Sequence, residues 1–155
     1  MNKILTFIIS VAIPFVAGAI GSIATIPNIP TWYAALEKPF FNPPNWVFGP
    51  VWTLLYILMG VSLYLVWTAR NKQPKKRAYT LFGAQLVLNT LWSLVFFGLQ
   101  WPWLAVVVIL ALWITIVMTM QAFRRYSQTS FWLFIPYIAW VSFAAVLNIS
   151  VALLN

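Results

Sequence analysis

Pro102-Trp-Leu-Ala-Val-Val-Val-Ile-Leu-Ala-Leu-Trp-Ile-Thr-Ile-Val-Met-Thr-Met-Gln-Ala-Phe123 runs for 22 residues without a charge and stops at Arg124-Arg125. At ~1.5 Å per residue, a helix of that length crosses the ~30 Å hydrocarbon core of a bilayer. Four more runs of the same kind lie at about 4–26, 46–68, 78–99 and 130–153. All ten charged residues fall at the ends of these runs or between them, as the cost of a charge at the bilayer centre requires. The fold class is therefore an all-α membrane protein. We expect one domain over 1–155, a bundle of five transmembrane helices with a long ordered loop between the first and second.

Composition agrees with a chain whose solvent is the lipid bilayer. The 155 residues are 63% hydrophobic and only 6% charged, with a mean hydropathy of +0.91. A soluble domain carries roughly 25% charged residues. The chain has no Cys and no His, and Glu37 is its one acid. These absences remove disulfides, thiol and imidazole chemistry, His/Cys metal sites and paired-carboxylate catalysis. A proton relay of intramembrane acids is removed with them. No metal and no cofactor is expected. The net charge of +8 sits in short loops, which fits lipid headgroups and membrane orientation and not nucleic acid.

The first run also has the outline of a secretory signal, with Lys3 before an apolar stretch and Ala17-Gly18-Ala19 as a cleavage-like site. It stays apolar through Ile26, long for a signal core, and so is expected to remain as a membrane helix. With five spans, Lys3, Arg70, Lys72, Lys75, Lys76, Arg77, Arg124 and Arg125 share one side, and only Lys38 falls on the other. The positive-inside rule then gives a multi-pass protein of the cell membrane, N-terminus cytoplasmic and C-terminus outside.

The first connection, about 27–45, differs from the others. It holds Pro27, Pro30, Pro39, Pro43 and Pro44 together with Trp32, Tyr33, Phe40 and Phe41. An interfacial aromatic belt would account for the rings but not the prolines. A stiff backbone with packing side chains suggests an ordered lid over the outer mouth of the bundle.

Ten tryptophans remain to be explained. Trp67, Trp101 and Trp132 sit near span ends, where a belt suffices, whereas Trp52, Trp92 and Trp140 lie inside spans. Helical spacing puts Phe48, Trp52 and Tyr56 on one stripe of the second span. Gln85, Asn89, Trp92, Ser93 and Phe96 share a face of the third, and Tyr137, Trp140, Ala144 and Asn148 a face of the fifth. An amide in hydrocarbon costs several kcal/mol unless hydrogen-bonded, so Gln85, Asn89 and Asn148 should point inward. Faces of this kind can line a pocket for a large, flat, mostly apolar ligand. They can equally be the glue between membrane helices, and spacing alone leaves both open. Ala17, Gly18, Gly21 and Ser22, like Gly83 and Ala84, are small enough to admit a neighbouring helix, within the monomer or between subunits.

Three separated motifs resemble one family. They are Trp32-Tyr33-Ala-Ala-Leu36-Glu37-Lys38-Pro39 with Pro43-Pro44-Asn45-Trp46-Val-Phe48-Gly49-Pro50-Val51-Trp52-Thr-Leu-Leu-Tyr56, then Leu88-Asn89-Thr-Leu-Trp92-Ser93 with Phe96-Phe97-Gly98, then Pro136-Tyr137-Ile-Ala-Trp140-Val-Ser-Phe-Ala144-Ala-Val-Leu147-Asn148. The pattern looks like the tryptophan-rich sensory protein/translocator protein (TspO/MBR) family, the peripheral-type benzodiazepine receptors, and covers nearly the whole chain. The resemblance implies a five-helix bundle, often a homodimer, that binds porphyrins such as protoporphyrin IX or haem and isoquinoline- or benzodiazepine-type compounds. It implies a ligand pocket at Trp52, Asn89, Trp92, Trp103, Trp140, Ala144 and Leu147. It further implies that Trp52 and Trp140 serve in light- and oxygen-dependent porphyrin degradation, with porphyrin as ligand or substrate. One departure is plain: after Asn148 the chain has no Tyr and no basic residue, so the sterol-recognition pattern of animal relatives is unsupported. The main expectation is a membrane receptor or sensor. The alternative is a transporter of tetrapyrroles or other apolar metabolites, against which stand the lack of an internal repeat and of an ion-coupling acid. A structural protein without a ligand is the third reading.

Overall fold

The computed structural model describes residues 2–70 and 73–155; Lys72, counted above, lies outside them. Five helical segments long and apolar enough to cross a membrane are present among the described residues: Lys3–Tyr33, Asn45–Thr68, Lys76–Gly98, Pro102–Arg124 and Gln128–Leu154. The regular helices within them are α1 (Lys3–Asn28), α2 (Phe48–Thr68), α3 (Lys76–Ser93), α4 (Pro102–Arg124), α5 (Gln128–Leu133) and α6 (Ile135–Leu154). Asn2 starts α1 by accepting the Ile4 N–H on Oδ1 at 3.1 Å. Pro102 and Pro136 occupy first turns of α4 and α6, where a missing N–H costs nothing. The fifth span is thus two helices joined at Phe134, its short first part capped by Ser127, whose Oγ accepts the Ser130 N–H at 3.2 Å.

The first connection departs from expectation at its start. Pro27 and Pro30 do not end the first span; α1 runs to Asn28, a π-helical turn follows over Ile29–Tyr33, and helical backbone continues to Ala35. Proline removes a helical donor, and the backbone widens here to a π turn. Side chains add bonds to neighbouring carbonyls: Asn28 Nδ2 donates to Ala24 O at 2.8 Å and Thr31 Oγ1 to Pro27 O at 2.9 Å. The true loop is only 36–44.

That loop is ordered by its own bonds. Tyr33 is buried, its hydroxyl donates to Asn42 Oδ1 at 2.6 Å, and its ring meets Phe48, Phe96 and Phe97. Lys38 Nζ donates to the carbonyls of Tyr33, Ala34 and Leu36 at 2.7–3.2 Å, closing the last turn of the extended first helix. The Asn155 side chain pairs with both backbone groups of Glu37, each at 3.0 Å, fastening the lid to the end of α6. Each such bond contributes about 1 kcal/mol. Asn155→Ala is therefore expected to raise hydrogen exchange at the Glu37 amide roughly tenfold, measured by mass spectrometry; unchanged exchange would show that the clamp does not hold the lid. Phe40 and Trp46 remain exposed and behave as the aromatic belt would.

Within the membrane-spanning part, polar groups pair across helices. Ser62 and Ser130 exchange hydroxyl-to-carbonyl bonds, both 3.0 Å, tying α2 to α5. Thr90 Oγ1 reaches Ala17 O at 2.9 Å, tying α3 to α1. The small residues of the first span work within the monomer: an added Cβ at Gly18 would run into the Tyr56 ring. At the end opposite the lid, Lys75 Nζ donates to Trp67 O and Ala69 O at 3.0 and 2.9 Å, finishing α2.

Candidate functional site: an aromatic cavity in the lid half of the bundle

The amides expected to face inward do so: Gln85, Asn89 and Asn148 are all buried. They build two hydrogen-bonded sets. In the first, Tyr56 O–H donates to Asn89 Oδ1 at 3.3 Å, Asn89 Nδ2 to Tyr137 Oη at 3.2 Å, and Tyr137 O–H to Gln85 Oε1 at 2.8 Å. In the second, Trp92 Nε1 donates to Asn148 Oδ1 at 3.0 Å, and Asn148 Nδ2 donates to Pro102 O at 3.0 Å. Glue between helices is therefore part of what these residues do.

Above the first set lies a cavity of about 270 Å³. Phe48, Trp52 and Tyr56 of α2, Trp92, Ser93 and Phe96 of the third span, and Trp140, Ala144, Leu147 and Asn148 of α6 all line it. The walls are stacks of rings. Trp52 lies on Tyr56 with centroids 5.6 Å apart and planes 28° from parallel, and Trp92 lies on Phe96 at 5.5 Å and 23°. Trp140 meets Phe48 edge to face at 6.0 Å. The lining contains no carboxylate and no basic side chain, and it offers aromatic faces, hydroxyls, two of them the phenols of Tyr33 and Tyr56, and amides.

Four of the singled-out residues do not line it, Gln85 with its bond from Tyr137 being one. Asn89 and Tyr137 belong to the hydrogen-bonded set beneath it. Trp103 is 53% exposed on the first turn of α4 and stands outside the cavity. Sequence reasoning in turn missed the contribution of the first span and of the start of the second. Gly18, Ser22, Thr25, Ile26 and Ile29, with Tyr33, Asn45, Gly49 and Phe97, complete the lining. The small residues there signal only close packing when seen as sequence, and a cavity wall made by missing side chains leaves no periodic mark.

One polar atom stands apart. Trp140 Nε1 is buried without a hydrogen-bond partner, the one such side-chain atom among the described residues.

A bundle of five spans with a ring-lined cavity in one half defines a multi-pass membrane protein with an internal aromatic cavity. The profile of the TspO/MBR family matches residues 10–154, and the chain belongs to that family. It is 44% identical over 153 residues to the tryptophan-rich protein TspO of Archaeoglobus fulgidus, covering 99% of both chains. It is 38% identical over 124 residues to the tryptophan-rich sensory protein of Cereibacter sphaeroides, covering 80% of this chain and 77% of that one. To the human translocator protein it is 39% identical over 119 residues, covering 76% and 70%.

Proposed function

We propose that the protein is a membrane receptor whose cavity takes a flat, mostly apolar ligand of the porphyrin class. Isoquinoline- and benzodiazepine-type compounds would compete for the same walls. The observation that carries the reading is the cavity wall of stacked rings, Trp52 on Tyr56 and Trp92 on Phe96, with the Trp140 ring beside them. Trp52, Trp92 and Trp140 supply faces for stacking. At about 270 Å³ the cavity falls just below the usual ~300–1,000 Å³ range, so a full macrocycle would have to extend beyond it, into the gap between α1 and α2. The names of the relatives, a sensory protein and a translocator protein, support a receptor role. The cluster of basic residues at the end opposite the lid supports a cytoplasmic N-terminus in the cell membrane.

The test is quenching of tryptophan fluorescence by protoporphyrin IX on detergent-folded protein. Wild type should show saturable quenching, and Trp140→Phe should bind at least tenfold more weakly, about 1.4 kcal/mol. Thermal stability without ligand should hold, because phenylalanine keeps a ring and removes the unpaired donor. No saturable quenching in wild type, or equal affinity in the variant, ends the proposal. Porphyrin absorbance under light in air, followed in Trp52→Phe, Trp140→Phe and the double variant, separately tests degradation. Unchanged decay in all three removes that role.

A further inference from the structure

The helices α1 and α2 form a wedge. At Gly60 they touch backbone to backbone: an added Cβ would stand 2.5 Å from Val11 Cα and 3.0 Å from Ser10 O. One turn nearer the lid, the Tyr56 ring fills the place of a side chain at Gly18. Two further turns on, at Gly49, nothing lies within 4 Å of an added Cβ. The gap thus grows from nothing, to the thickness of a ring, to open space.

The open end of the wedge coincides with the mouth of the cavity. The lining residues that are also exposed are Ile26 of α1 with Asn45 and Gly49 at the start of the second span, Ile26 being 69% exposed. The far walls, among them Tyr33, Phe96, Leu147 and Asn148, are buried. Ile26 is two turns, roughly 10 Å, below Tyr33, inside the span Lys3–Tyr33. The hydroxyls near the mouth are satisfied at home, Ser22 Oγ on Ala19 O at 2.7 Å and Thr25 Oγ1 on Gly21 O at 3.1 Å. Such a rim costs little to expose to hydrocarbon. On the outer side the lid is held to α6, with Phe41 against Phe143 and Asn155 on Glu37.

We infer that the cavity is loaded sideways, by molecules dissolved in the bilayer, through the gap between α1 and α2 at Ile26, Asn45 and Gly49. The inference rests on the receptor reading only for the identity of what enters. The ligand class it selects is planar, apolar and membrane-partitioned, with any charged group trailing at the Asn45 end.

The chain has no cysteine, so one introduced thiol reports access. Ala144→Cys puts a thiol on the far wall. In proteoliposomes it should react with N-(1-pyrenyl)maleimide, which dissolves in the bilayer, and not with a sulfonated maleimide confined to water. Adding Ile26→Trp or Asn45→Trp should slow the pyrene reaction at least tenfold, while Asn155→Ala should leave it within twofold. Gly49 is spared because a side chain directly before Pro50 in a helical turn meets the proline ring. Parent-rate labelling in both mouth variants, or faster labelling of either kind when only the lid clamp is removed, overturns the inference. The two mouth residues sit on different helices. Misfolding of one variant, revealed by the sulfonated reagent reaching the thiol, leaves the other to decide. No porphyrin takes part, so failure of porphyrin binding and failure of the lateral route are read separately.

Discussion

Gly60→Leu is expected to lower the thermal midpoint in detergent by at least about 6–12 °C. A leucine Cβ would begin 2.5 Å from Val11 Cα, which is backbone and cannot rotate away. The Ser10 carbonyl, deprived of its helical donor by Pro14, faces the same spot at 3.0 Å. Overpacking of yielding cores costs typically 1–3 kcal/mol. Here relief requires moving α1 as a body, so at least 3 kcal/mol is the fitting scale, at roughly 2–4 °C per kcal/mol for a chain of this size. Because the wedge is pinned at this crossing, protoporphyrin IX affinity should fall with stability. Gly60→Ala should show the same signs in smaller measure. A midpoint within a few degrees of wild type for Gly60→Leu would mean that the helices are not in backbone contact.

Asn148→Leu is expected to cost about 2 kcal/mol. The substitution leaves the Trp92 indole N–H without its acceptor and takes a donor from Pro102 O. An unpaired buried donor costs roughly 1–3 kcal/mol, while hydrogen bonds between membrane helices average nearer 0.6 because the unfolded chain in lipid also finds partners. The upper part of that interval applies because one amide serves two helices. Trp92 also stacks on Phe96 as a cavity wall, so affinity for protoporphyrin IX should weaken about tenfold as the indole loses its anchor. The double variant Trp92→Phe/Asn148→Leu removes both partners and should recover much of the stability, though not the affinity. Equal midpoints for Asn148→Leu and wild type would sink the expectation.

The number of spans was legible because charge is expensive in lipid: every charge-free run of about twenty residues became a helix. The inward direction of Gln85, Asn89 and Asn148 was legible for the same reason, since each amide needs a partner there. The first connection begins later than about 27 because the prolines stiffen a helix and not a loop. A change of helical pitch over Ile29–Tyr33 keeps the segment helical, and nothing in composition announces it. Pro136 split the last span at Phe134 without changing its path as a whole. The α2, α3 and α6 parts of the cavity followed from large rings at helical spacing. The α1 part did not, since Gly18 and Ser22 contribute by being small. Trp103 shows the opposite limit: an indole at a span end suits a cavity and a membrane interface equally, and only the packed fold separates them.

The π turn over Ile29–Tyr33 has an arithmetic side. It fits one residue more into its length than an α-helix would, and a single α-helical residue subtends about 100°. Deleting one residue there, for instance Thr31, would let the segment relax to ordinary pitch while Tyr33 still faces Phe96, Phe97 and Asn42. The same deletion in the plain α-helix before it would swing everything that follows through that angle. The turn is thus slack in the chain, one residue that can be lost without moving what comes after it.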